Sequence, residues 1–321
     1  MNQAFLSDHG INKNGNTFYY NSNKKQVMDQ SILNFITIIK VPPAWTHVWY
    51  ASNKKSHIIA YGTDVSGKKQ YIFSSVWNQK SKCQKYIRMK KFIKDIDSFK
   101  RKIKLSPSGN IDRDSLIKLL FNLLIELHIR VGNEKYTPSS YGLTTLRQKH
   151  LKLNDGIFTL SFIGKSKISH SINVPHKWDI YFNKLNNNKL DPDRKSGPDR
   201  KSGPDRKSGN KMLFWYRDNS EVKSVDSNEL NEYLKEHMGE DYTCKDFRTY
   251  SANILFIHTF LKSHENKIKK RVLESISKSA EKLGHTAGIS RKSYISESLI
   301  NYCLTDTSSI TKSESFLISK I

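Results

Sequence analysis

The chain has 321 residues and carries 54 lysines and arginines against 30 acidic residues, a formal net charge of +24. Such an excess on a compact body calls for an anionic partner, and nucleic acid is the first candidate. No apolar run approaches the roughly 18 residues of a membrane helix. The opening MNQAFLSDHG has no secretory-leader pattern. The three cysteines, Cys83, Cys244 and Cys303, are far apart and form no C-x-x-C, which excludes a disulfide scaffold and a zinc ribbon and fits a reducing, intracellular setting.

The length predicts about two domains. Before residue 80 the chain reads as strands: SILNFITIIKV (31–41), THVWYAS (46–52), SHIIAYGTD (56–64) and, after a turn at Ser66-Gly67, KKQYIFSSVW (68–77). Residues 1–79 are therefore expected to form a small β-rich domain, with the polar NQKSKC (78–83) as a hinge. Residues 80–321 are expected to form a larger, mainly helical domain, which makes the fold class α+β. Helical spacing of apolar residues predicts helices over 86–103 and 111–129. Residues 157–174 alternate as a β-hairpin with Gly164-Lys165-Ser166 at or beside its turn. Further helices are expected over 246–261 and about 266–283, the second closed by Gly284, and a short one starts near Ser290. The Ser/Thr-rich tail after Leu304 is expected to fray. Residues 192–209 repeat PDRKSG three times without an apolar residue. With the preceding NKLNNNKLD they read as a low-complexity insertion in a surface loop, at about 186–210.

Four segments carry candidate chemistry: LHIRVGNEKY (127–136) with Arg130, FIGKSK (162–167) with Lys165, KDFRTYSAN (245–253) with Arg248, and LGHTAGISRKSY (283–294) with His285 and Tyr294. Each has an ordinary reading. Arg130 could cap a helix, Lys165 could be a solvated turn residue, His285 could be a C-cap, and Tyr294 is one of 15 tyrosines. Taken together they meet the needs of phosphodiester transfer without water or metal. That reaction needs a side-chain nucleophile, cations for the non-bridging oxygens and an acid for the departing 5′ oxygen. Two arginines can clamp phosphate oxygens bidentately. Gly164-Lys165-Ser166 imitates the end of a P-loop, but the earlier glycine would have to stand at Thr159, so ATP binding is excluded. The 11 histidines form no H-E-x-x-H and no Cys/His cluster, so no metal site is expected.

The segments VPPAWTHVWY, D-x-S-G-K-K-Q-Y (64–71), R-V-G-x-x-K-Y (130–136), Y-G-L-T-T-L-R-Q-K-H (141–150), F-I-G-K-S-K-x-S-H (162–170), K-D-F-R-T-Y (245–250) and G-H-T-x-x-I-S-R-K-S-Y (284–294) occur in this order. Over roughly residues 41–294 the chain resembles the small type IB DNA topoisomerases of the poxvirus kind and, more distantly, the tyrosine recombinases. The resemblance implies that Tyr294 attacks the DNA backbone to give a 3′-phosphotyrosyl intermediate. It implies that Arg130, Arg248 and His285 stabilise the transition state and that Lys165 is the general acid. It further implies a C-shaped clamp around duplex DNA, ATP-independent relaxation by a monomer with no cofactor, metal or membrane, and DNA contacts at Gln70, Tyr71, Lys135 and Tyr136, to which Lys245 is added. The implied setting is intracellular and, if viral, the virion or the infected-cell cytoplasm. Asn133 and Glu134 replace residues that are more basic in the poxvirus enzymes, and the repeat is not a family feature. A site-specific tyrosine recombinase is the alternative within the same chemistry, although Lys245 stands where those enzymes usually carry histidine. A non-catalytic basic DNA-binding protein is the alternative outside it. An RNA-binding module lacks its expected aromatic stretches.

Overall fold

A computed structural model describes residues 10–15, 17–106, 109, 111–186, 211–219, 221–239 and 241–321. The PDRKSG repeat lies outside them. The chain gathers into two compact units, Met1–Lys85 and Tyr86–Ile321, and the architecture is α+β.

In the first unit, strands β1 (Gly10–Asn14), β2 (Thr17–Tyr20), β3 (Thr46–Ala51), β4 (Ile58–Thr63) and β5 (Lys69–Phe73) form an antiparallel sheet in the order β2-β1-β3-β4-β5. Helix α1 (Gln30–Ile38) stands where the β-branched run 31–41 predicts a strand. Asp29 caps it, its carboxylate accepting from the Ser31 N–H at 2.8 Å and the Ile32 N–H at 3.3 Å. Ile36 is then buried in a small core with Ile11, Tyr50 and Ala60. The cap and this tertiary burial override the β propensity of the run.

The other face of the sheet carries an aromatic ladder. Trp49 pairs with Tyr61 and Tyr61 with Tyr71 across β3, β4 and β5. The first two rings stack at 4.9 Å, and the Lys69 ammonium lies 3.7 Å from the Tyr61 ring centre. A Cβ on Gly10 would meet Trp49 Nε1 at 1.6 Å, so only glycine lets β1 pass under the indole.

Helix α2 (Ser75–Lys102) includes NQKSKC, so this segment is helical. Its Lys and Gln residues are polar because they are exposed, and they are good helix formers. In the second unit α2 buries Met89, Phe92, Ile96 and Phe99 against α3 (Arg113–Leu127), whose leucines fill the main core. Strands β6 (Leu151–Asn154), β7 (Ile157–Ile163) and β8 (Ser169–Asn173) form a three-stranded antiparallel sheet, with the expected hairpin between β7 and β8. Then come α4 (Asp179–Asn186), the ribbon of β9 (Tyr216–Asp218) and β10 (Glu221–Lys223), and α5 (Ser227–Met238). The unit continues with α6 (Cys244–Lys262), α7 (Ile268–Lys282), α8 (Ala287–Ser293), α9 (Glu297–Thr305) and α10 (Glu314–Ile318). The tail does not fray. Leu317 and Ile321 are buried, the Ser296 hydroxyl donates to the Ile321 carbonyl at 3.1 Å, and the Ser313 hydroxyl caps α10. No helix among the described residues is long and apolar enough to cross a membrane.

Candidate active site

Arg130 is set by the end of α3. His128 takes a left-handed backbone (φ 54), stops the helix, and releases an extended segment. Residues 142–145 hold that segment from behind: the Leu143 N–H donates to the Arg130 carbonyl at 2.8 Å and the Thr144 N–H to the Val131 carbonyl at 2.7 Å. A Cβ on Gly142 would lie 2.5 Å from the Gly132 nitrogen and 2.6 Å from the Arg130 carbonyl oxygen. The R-V-G and Y-G-L-T-T motifs are thus two halves of one joint that requires a glycine at 142.

Arg248 lies in the second turn of α6. Asp246 fixes the start of this helix, accepting from the Thr243 N–H and hydroxyl at 3.0 Å each and from Arg88 Nη2 at 3.0 Å. Arg248 is 8 % exposed. Its Nη1 donates to the His128 carbonyl at 3.0 Å and its Nη2 to the Leu283 carbonyl. Its Nε is buried with no hydrogen-bond partner among the described residues. Burial, and then the like charge of Arg130, lower its pKa, yet the group starts so high that it keeps its charge at neutral pH.

His285 follows Gly284, whose backbone is left-handed (φ 60), in the turn between α7 and α8. Its ring stacks on Tyr294 with centres 4.9 Å apart and planes 14° apart. Nδ1 faces the Thr286 carbonyl at 3.3 Å, and Nε2 is buried without a partner among the described residues. Burial first, then the charges of Arg248 and Arg130, pull its pKa from 6.5 to about 4, so the imidazole is neutral at pH 7. Tyr294 closes α8, its N–H donating to the Ser290 carbonyl at 3.0 Å. The Arg248 guanidinium carbon lies 5.7 Å from the centre of its ring.

Lys165 stands at the hairpin tip, exposed, directly after Gly164. Ser166 and Lys167 take left-handed backbones (φ 63 and 59), and the Gly164 N–H donates to the Ile168 carbonyl at 2.8 Å to close the turn.

Arg130, Lys165, Lys245, Arg248 and Tyr294 line one open cavity of about 310 Å³. His285 is not among the lining residues; it stacks on Tyr294, which is. The lining includes four cationic side chains and no carboxylate. With the unpartnered Arg248 Nε on a lining residue, this is a site suited to an anion with several oxygens. Lys135 and Tyr136 occupy a short 3-10 turn (Glu134–Tyr136), are exposed, and do not line the cavity. Gln70 and Tyr71 are adjacent on β5 and so face opposite ways. Tyr71 joins the aromatic ladder, while Gln70 Nε2 donates to Asp64 Oδ2 at 2.7 Å.

Sequence reasoning missed the residues that hold the backbone of Tyr294. Asn253 Nδ2 donates to the Tyr294 carbonyl at 3.0 Å, and its Oδ1 accepts from the Ser296 N–H at 2.8 Å. The Tyr86 hydroxyl donates to the Ile295 carbonyl at 2.7 Å and lies 3.2 Å from that of Tyr294. The available signal was an asparagine inside the apolar stretch of α6, because a buried amide must find partners. His128 also lines the cavity, with Nδ1 3.0 Å from the Ser251 hydroxyl.

Residues 74–303 match the catalytic core of eukaryotic DNA topoisomerase I, and residues 17–64 match the N-terminal domain of bacterial DNA topoisomerase IB. The chain belongs to the type IB DNA topoisomerase family and is an enzyme of the isomerase class. Similar proteins include viral enzymes. The DNA topoisomerase 1B of Acanthamoeba polyphaga mimivirus is 32% identical over 310 residues, covering 91% of this chain and 85% of that protein. The DNA topoisomerase 1B of Vaccinia virus (strain Copenhagen) is 26% identical over 310 residues, covering 90% and 87%. The DNA topoisomerase 1 of Rabbit fibroma virus (strain Kasza) is 26% identical over 265 residues, covering 78% and 74%.

Proposed function

We propose that this protein relaxes supercoiled duplex DNA without ATP or metal by a transient single-strand break at Tyr294. The Tyr294 oxygen attacks the scissile phosphorus and its phenol gives up its proton to solvent. The bond from phosphorus to the 5′ oxygen breaks, Lys165 protonates that oxygen, and a 3′-phosphotyrosyl link and a free 5′ hydroxyl remain. The cut strand turns about its partner, and the 5′ hydroxyl then attacks the phosphorus, giving its proton to Lys165 and displacing the Tyr294 phenolate, which takes a proton back from solvent. Arg130 and Arg248 neutralise the non-bridging oxygens throughout. His285 Nε2 adds a further hydrogen bond once the phosphate charge offsets the burial that keeps the ring neutral.

The observation that carries this reading is the Tyr294 ring stacked on His285 beneath the Arg248 guanidinium, at a cavity lined by cations and by no carboxylate. We assign the gripping of DNA to residues 1–79, through the aromatic ladder and Tyr71, and breaking and rejoining to residues 80–321, with Lys245, Lys135, Tyr136 and Gln70 as further DNA contacts. The protein acts as a monomer, in the virion or the cytoplasm of an infected cell. The test is relaxation of a supercoiled plasmid in EDTA without nucleotide. Full relaxation is expected, and an absolute need for ATP or a divalent ion would exclude the mechanism.

A further inference from the structure

One histidine beside the site takes no part in this chemistry. His170 lies on β8 opposite Phe162 of β7, and the two rings stack at 4.8 Å with planes 14° apart. From that platform the imidazole fills the space between two backbone turns. A Cβ on Gly164 would lie 2.7 Å from its Nε2, and a Cβ on Gly284 would lie 2.4 Å from its Cε1. Gly164 immediately precedes Lys165, and Gly284 immediately precedes His285. One ring therefore touches both backbones that lead into the site. Both contacts are tight enough that a side chain at either turn would have to displace the ring.

The hairpin tip needs such support. Two successive left-handed residues, Ser166 and Lys167, follow Lys165, and the lysine side chain itself is exposed. The Gly284 turn is the firmer element, because the carbonyl of the preceding Leu283 is bound by the buried Arg248. A close-packed ring passes position from one backbone to the other. We propose that His170 is a positioning residue that braces the hairpin tip against the Gly284 turn and thereby places the Lys165 ammonium at the departing 5′ oxygen. Burial and then the charges of Arg130 and Arg248 hold the pKa of His170 below its ordinary value. A neutral wedge suits this place, since a charged one would repel both arginines.

The proposal rests on Lys165 as the general acid, so Lys165→Ala is measured beside His170→Ala. The readout is single-turnover cleavage of a duplex with either an ordinary scissile phosphate or a 5′-bridging phosphorothiolate, whose sulfur leaves without a proton. On ordinary DNA, Lys165→Ala should lose about 10²–10⁴-fold and His170→Ala about 10²-fold, the cost of misplacing a catalytic group by roughly 1 Å. On phosphorothiolate DNA both should return close to the parent rate. If Lys165→Ala is not restored, the general-acid reading fails on its own evidence. If Lys165→Ala is restored and His170→Ala is not, His170 acts on the fold at large and the proposal is overturned, as it also is if His170→Ala cleaves ordinary DNA at the parent rate. Should His170→Ala fail to fold, Gly164→Ala replaces it. The backbone there (φ −93, ψ −168) accepts a side chain, and the new methyl pushes directly on the ring. The same selective restoration on phosphorothiolate DNA is expected, and equal loss on both substrates would overturn the proposal.

Discussion

The two halves of the site are built differently. Arg248 is buried, and His285 and Tyr294 are half-buried and packed against each other. The guanidinium is held by the His128 and Leu283 carbonyls, the imidazole is pressed against the phenol, and the Tyr294 backbone is bound by Asn253 and Tyr86. Lys165 and Lys245 are exposed on a hairpin tip and a helix start. In the proposed mechanism Arg248 and His285 meet the developing negative charge, and because their contacts are made within the protein they would cost little reorganisation at the moment of reaction. In the same mechanism Lys165 and Lys245, the proposed proton donor and DNA contact, are exposed to water. The packed half is therefore expected to govern rate, and the exposed half to govern encounter and, through Lys165, one proton.

The largest effect should come from the nucleophile. Tyr294→Phe should abolish relaxation while leaving duplex affinity nearly unchanged, as read by plasmid relaxation and by a gel-shift titration. Loss of both together would mean that the phenol serves packing. Lys165→Ala comes next, at about 10²–10⁴-fold in cleavage rate, the ordinary worth of a general acid.

Arg248→Lys keeps the charge but cannot reach both carbonyls and a phosphate at once. It should lose about 10²–10³-fold in single-turnover cleavage, the range for removing one preorganised donor. A parent-like rate in this variant would erase the distinction between the two halves, because charge alone would then suffice.

A gentler probe of the same interior is acid. Burial holds the pKa of His128, His150 and His285 at about 4, below the ordinary 6.5. Between those values the unfolded chain binds more protons than the folded one, so stability is full above about pH 6.5 and falls as the pH drops toward 4. Thermal melts of the DNA-free protein across that window should show a falling Tm. A flat profile would place these rings in water. The smallest effect is expected at the exposed rim: Lys245→Ala should weaken duplex binding modestly on any sequence and reduce the salt slope by about one.

Much of this was legible in the sequence because the long elements have a strong period. The leucine face of α3 and the alternation of β7 and β8 need no tertiary information. The short and frustrated segments were not legible. SILNFITIIKV has the composition of a strand and is helical only because Asp29 caps it and the sheet buries Ile36. The tail looks soluble by composition, yet its serines are caps and its last residue is buried. The five candidate catalytic residues could be read from motif order, but the joint of Gly132 against Gly142 and the amide of Asn253 could not. They matter for what they touch across more than one element, and spacing along the chain does not record that.

The most direct measurement is to trap the protein on a nicked duplex, digest it, and sequence the peptide that carries the nucleotide. The account predicts attachment at Tyr294 through a 3′ phosphate, with a free 5′ hydroxyl across the nick. Attachment at another side chain, or to the 5′ end of the break, would contradict it.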